Sequence, residues 1–217
     1  MNYVLFFFLY SFIGWLWEVI LFTFVYKKPM NRGFLLGPVC PVYGIGGVVI
    51  TLLLSKYRTD ILALFCMSFL SCTIIEYFTS YILEKLFSAR WWDYSTDVLN
   101  INGRVCLICS IGFGLAGVFL INFFNPLVLN VFNKINIGFK FTLCFFFLLI
   151  FFIDICITVG ALSKLKKVIE ASSNNYRKDN TEKLRNLVLG ELSKKTYIIR
   201  RLSKIFPNFR IINKKGK

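Results

Sequence analysis

Three acidic side chains fall well inside stretches apolar enough to cross a bilayer, away from their ends: Glu18, Glu76 and Asp154. On insertion scales a charged residue at mid-membrane costs roughly 2.5–3.5 kcal/mol, so each needs a partner or a use. Arg32, Arg90 and Arg104 are the candidate counter-charges, because a planar guanidinium suits paired, partly buried sites. Acids, arginines and tyrosines gathered in one layer can hold a charged solute or do acid–base work. The plain alternative is helix packing through ion pairs or snorkelled ends. Asp154, in an unbroken Phe/Ile context, reads as packing. A second candidate is Cys106-Leu-Ile-Cys109, a C-x-x-C spacing that gives redox enzymes an exchangeable pair. Here it opens an apolar helix and has no second pair beside it. Most of the seven cysteines lie in apolar runs, where Cys acts as a small hydrophobe. Histidine is absent, which removes the commonest metal ligand and proton shuttle, and no metal site is expected.

The elements that must position these residues are membrane helices. The chain is 57% hydrophobic and carries 25 phenylalanines. About 20 apolar residues span the hydrocarbon core, and five such segments are predicted, at 3–26, 34–55, 60–87, 104–124 and 141–162. The second is broken near its start, and Asn125-Pro126 is expected to end the fourth. The first run lacks a basic start and exceeds a signal core of about 7–15 residues, so it reads as a retained helix. The expected fold is an all-α, polytopic membrane helix bundle over 1–162, followed by a basic cytoplasmic tail over 163–217.

Spacing aims the acids inward. Ser11, Gly14 and Glu18 share a face of the first helix. Ser68, Cys72, Glu76 and Ser80 recur every fourth residue in the third, and Asp154, Thr158 and Ala161 line up in the fifth. Ser110, Gly114 and Gly117 give the fourth a small face for close contact.

The stretch NRGFLLGPVCPVYGIGG, residues 31–47, is apolar yet holds five glycines and two prolines. Non-helical backbone at membrane depth is tolerated only where protein or a water-filled cavity covers it. Pro41 fits the first turn of the helix that follows, whose N-terminus then points partial positive charge into the protein, as in transporters with broken helices. A tight connection between two short spans is the plainer reading. In the loop before the fourth helix, Trp91, Trp92 and Tyr94 suit an interfacial aromatic belt, and Asn102-Gly103 suits a turn. Arg104 is expected to start the fourth helix beside Glu18 or Glu76. The predicted binding residues are Glu18, Asn31, Arg32, Tyr43, Glu76, Arg90, Asp93 and Arg104, around a cytoplasm-facing cavity.

Basic residues set the expected orientation. Lys27, Lys28, Arg32, Lys85, Arg90 and Arg104 flank one side; Lys56, Arg58, Lys134 and Lys140 flank the other. The tail holds 16 of the 26 Lys and Arg but four of the 11 acidic residues. The positive-inside rule then places the N-terminus outside and the tail in the cytoplasm. Within the tail, residues 172–182 read as a flexible link. Residues 183–206 alternate apolar and basic positions as an amphipathic helix suited to an anionic leaflet. Nucleic acid is not an expected partner of a tail tethered at the membrane.

Several motifs together resemble one bacterial membrane family, the ABC-transporter type IV permeases. They are Gly14-Trp15-x-x-Glu18, the run from Asn31-Arg32-Gly33-Phe34-Leu35 through Gly37-Pro38, Pro41 and Tyr43-Gly44, then Trp92-Asp93-Tyr94-Ser95 and Asn100-x-x-Gly103-Arg104. The resemblance covers residues 11–117, and Phe206-Pro207-Asn208 adds to it. It implies a permease of an ATP-driven transporter in the bacterial cell membrane. The chain has no G-x-x-x-x-G-K-[S/T] loop, so ATP would act only through a separate subunit. Five spans imply a second copy or another membrane subunit. Two rival classes remain: an intramembrane enzyme acting on a lipid or phosphate-bearing substrate, and a non-transporting scaffold that works through its tail.

Overall fold

A computed structural model describes residues 1–27, 33–87, 89–175 and 210–211. Helix α1 covers Asn2–Tyr26, α2 Pro41–Leu54 and α3 Ile61–Phe87. Helices α4, Leu107–Phe119, and α5, Asn125–Lys134, follow, and α6 runs over Ile137–Asn175. Four spans are long and apolar enough to cross a membrane: Asn2–Val25, Ile61–Phe87, Leu107–Lys134 and Ile137–Ser163. A shorter apolar helix, Pro41–Tyr57, completes the bundle. At about 1.5 Å per residue it falls a few ångströms short of the core, and the non-helical residues 33–40 before it supply the remainder. The predicted broken second segment is present. The tail's amphipathic helix at 183–206, like Asn31 and Arg32, lies outside the described residues.

Two boundaries differ from expectation. Asn125-Pro126 does not end the fourth span. A π-helical turn at Leu120–Phe124 intervenes, in which the Asn125 N–H reaches back five residues to the Leu120 carbonyl. Pro126 then stands in the first turn of α5, where its missing N–H breaks no bond. The bulge turns Asn125 into the bundle, where it is 4% exposed. There it bonds Tyr10 Oη and, at 3.0 Å, Thr51 Oγ1. The last helix also continues past Leu162 to Asn175, taking in the first residues of the expected flexible link. Its 39 residues make a rod of about 58 Å, well beyond the membrane core.

Small residues set the helix spacing. The Gly44 Cα lies so near α1 that an added Cβ would collide with Ser11 Oγ and stand 2.7 Å from the Phe7 carbonyl. Gly44→Ala is therefore expected to push α1 and α2 apart and cost about 1–3 kcal/mol. A methyl group added at Gly112 would meet nothing within 4 Å, so Gly112→Ala should be neutral or better. Thermal unfolding of both variants in one detergent checks the contrast. An apolar cluster of Ile50, Leu54, Leu64, Cys72 and Ile121 joins α2, α3 and the π turn. Helix α6 packs more lightly, through Phe151 edge-on to Phe7 and Phe8 and Phe147 tilted on Phe8.

Candidate functional site

One end of the bundle gathers the polar chemistry. Residues 33–40 and 89–106 meet there: the Phe34 ring packs edge-on to Trp91 at 5.3 Å and lies 6.5 Å from Phe87. Trp91 is 2% exposed. The Trp92 indole donates to the Arg104 carbonyl at 3.0 Å. Trp91 thus turns inward, while Trp92 and Tyr94 stay partly exposed. The Trp91 face is consumed in closing one loop over another.

The non-helical segment is secured by Asp154. Its carboxylate accepts the backbone N–H of Leu36 at 2.9 Å and of Gly37 at 2.7 Å, and the Thr158 hydroxyl at 3.1 Å. The Cys40 N–H donates to the Ser11 carbonyl at 2.9 Å, tying the same segment to α1. Pro41 then starts α2. Asp154 is therefore more than the packing residue its Phe/Ile context suggests. It satisfies backbone donors that no helix serves. The missed signal was the partner: a Gly-Pro break leaves N–H groups that require an acceptor.

A second cluster occupies the end of α3. Glu84 accepts Arg104 Nη2 and Arg90 Nε, each at 2.9 Å, and Arg90 Nη1 lies 3.6 Å from Asp93. Arg104 also donates to Ser80 Oγ at 3.4 Å, and its guanidinium faces the rings of Tyr77 and Tyr81. The expectation that Arg104 would start α4 beside Glu18 or Glu76 is corrected on both points. Helix α4 begins at Leu107, and Arg104 closes a turn that aims it at Glu84. In that turn Asn102 and Gly103 both take positive φ, and the Arg104 N–H returns to the Ile101 carbonyl at 3.0 Å. Glu84 was absent from the predicted set. It extends the ladder Ser68, Cys72, Glu76, Ser80 by one more step of four, so the signal was present.

Three more predicted residues, Glu18, Tyr43 and Glu76, make tyrosine–carboxylate contacts. Tyr43 Oη donates to Glu18 Oε1 at 2.6 Å, and Tyr94 Oη donates to Glu76 Oε1 at 3.3 Å. Glu76 is 8% exposed, and its Oε2 has no hydrogen-bond partner among the described residues. Burial first, then the Glu76 charge, push the Tyr94 phenol well above its ordinary value, so it remains a donor. The six predicted residues among those described thus separate, Asn31 and Arg32 lying outside them. Glu18 pairs with Tyr43 and Glu76 with the unforeseen Tyr94, whereas Arg90, Asp93 and Arg104 form an ion-pair network around Glu84.

Beside Tyr94, Cys106 Sγ and Cys109 Sγ stand 3.1 Å apart at the start of α4. Both are free thiols. Treatment with copper phenanthroline, with dissolved oxygen as electron acceptor, is expected to close this pair into a disulfide with loss of two hydrogens. Intact mass after alkylation reads the change, and Cys109→Ser should abolish it. Among the described residues no group of three or more His, Cys, Asp or Glu is placed to hold a metal ion.

No curated protein and no solved structure matches the chain. A family model described as "Putative ABC-transporter type IV" matches residues 5–159, from the first turns of α1 to the middle of α6. That span holds every residue of the three clusters above, including Glu84, Tyr94 and Asp154. The protein is an ABC-transporter-related membrane helix bundle, and the chain belongs to the ABC-transporter type IV family.

Proposed function

We propose that this protein is a permease-like membrane subunit of an ABC-type transporter, with its solute site in the layer of Glu18, Tyr43, Glu76 and Tyr94. The observation that carries the reading is the apolar, non-helical segment 33–40. It is capped by the loop at 89–106 and held by Asp154. A passive bundle has no need of irregular backbone at that depth. A transporter does, because unwound segments expose polar groups to a solute and allow a gate to move. ATP is hydrolysed by a separate subunit, and a second membrane subunit or a second copy completes the translocation route.

The charge pattern sets this site in the cytoplasmic half of a bacterial cell membrane, with the N-terminus outside and the C-terminus inside. The alternation of apolar and basic positions at 183–206 suits an anionic inner leaflet. Each Lys or Arg near that surface contributes about 1 kcal/mol.

Inside-out vesicles from cells that overproduce the full chain and its neighbouring ATP-binding subunit test the reading. Untargeted mass spectrometry of vesicle contents should reveal a solute whose level changes on adding ATP. The change should vanish with Glu76→Gln. An identical solute profile with and without ATP would overturn the proposal.

A further inference from the structure

The C-terminal end of the chain returns to the loop that closes over the irregular segment. Arg210–Ile211 pairs antiparallel with Ala89–Arg90, so that Ala89 stands opposite Ile211 and Arg90 opposite Arg210. Arg90 is the junction. Its backbone meets the tail, while its side chain holds the loop. Nε bonds Glu84 at 2.9 Å, and Nη1 donates to the Asn102 carbonyl at 3.0 Å and lies 3.6 Å from Asp93. One residue therefore connects the tail, the end of α3 and the turn before α4. Its neighbour Trp91 is buried against Phe34, so the same short stretch covers residues 33–40.

The chain is long enough to make this return. From Asp154, at the level of Leu36 and Gly37, α6 rises about 32 Å to Asn175. Residues 176–209 reach about 110 Å when extended, well over that distance. In the sequence, Pro207 and Asn208 stand between the amphipathic run at 183–206 and the strand. Both are turn formers, and they separate a stretch suited to a membrane surface from one that pairs as a strand.

We propose that the end of the tail is a docking strand of this chain: residues 210–211 add to Ala89–Arg90 and brace the loop at 89–106 from its backbone. Strand addition of this kind draws its affinity from main-chain hydrogen bonds. Proline therefore breaks it, having no N–H to give, whereas alanine does not. Loss of the strand leaves Arg90 held by its side chain alone. The inference goes beyond the transporter reading and needs neither ATP nor a solute.

Two measurements on the purified full chain in nanodiscs of neutral lipid test it. Opposed residues of an antiparallel pair have Cα atoms about 4.5–5.5 Å apart, within disulfide reach. Ala89→Cys combined with Ile211→Cys should therefore join under copper phenanthroline, with dissolved oxygen taking up the two hydrogens. Peptide mapping should find the 89–211 link within monomers. Hydrogen exchange at residues 89 and 90 supplies the second readout. Arg210→Pro together with Ile211→Pro should speed it about tenfold, on the scale of one or two net hydrogen bonds. Exchange in the middle of α3 and α4 should not change, which separates loss of docking from unfolding. Arg210→Ala together with Ile211→Ala should leave residues 89 and 90 protected. No 89–211 link, a link only between two copies, or equal exchange in the proline variant and the parent would each overturn the proposal. Equal loss of protection in the alanine variant would overturn its main-chain basis.

Discussion

Asp154→Ala is expected to lower the stability of the bundle by about 3–5 kcal/mol, because it removes a charged acceptor shared by two partly buried backbone donors. For a chain of this size that corresponds to a fall in Tm on the order of 10 °C. The loss should be local in character. Leu36 and Gly37 N–H lose their acceptor, and the segment detaches from α6 while the α1–α2 and α3–α4 seams persist. Cys40, at the end of that segment, should then react with a water-soluble maleimide much faster than in the parent protein. Asp154→Asn keeps one acceptor and should fall between the two. An alanine variant with unchanged Tm and unchanged Cys40 labelling would show that the contact does not hold the segment.

The second large effect is expected at Arg104. It is 7% exposed and bonds Glu84 and Ser80 while lying over two tyrosine rings. Arg104→Ala leaves Glu84 to Arg90 alone in a half-buried setting. Because Glu84 keeps Arg90, the expected cost is roughly 1.5–3 kcal/mol, that of a charge-assisted hydrogen bond. Arg104→Lys should recover only part, since an ammonium cannot keep the fork geometry and the ring contacts together. Lys134, an exposed residue at the other end of the bundle, sets the scale. Lys134→Ala should stay within about 0.5 kcal/mol. Thermal unfolding of the three variants in the same detergent decides it, and equal, mild effects for Arg104→Ala and Lys134→Ala would contradict the network.

Span positions were legible in the sequence because they depend on length and apolarity alone. So was the inward face of α3, since a repeat of four along a helix needs no tertiary information. The same repeat, carried one step further, would have found Glu84. Asn102-Gly103 was legible as a turn because its φ demand is local. What the sequence left open were choices settled by tertiary partners. Arg104 had two candidate acids within reach of its helix and paired with a third, because the direction of the turn decides where the guanidinium lands. Asp154 looked like a bystander because its partners are backbone N–H groups, which nearly every sequence position carries and none advertises. Asn125-Pro126 looked like a terminus because a proline ends a regular α-helix. A π turn absorbed it and turned Asn125 toward Tyr10 and Thr51.

Membership in the ABC-transporter type IV family and the secured irregular segment are the support for the proposal that this chain is the membrane part of an ATP-driven transporter. Native mass spectrometry of the full chain, extracted mildly from its own membrane, tests that claim most directly. The account predicts a complex that includes an ATP-binding subunit, with a mass that shifts on adding nucleotide. A chain that leaves the membrane as a monomer or homodimer, with no ATP-binding partner and with a retained lipid or phosphate-bearing compound, would contradict it and point to an enzyme acting within the membrane.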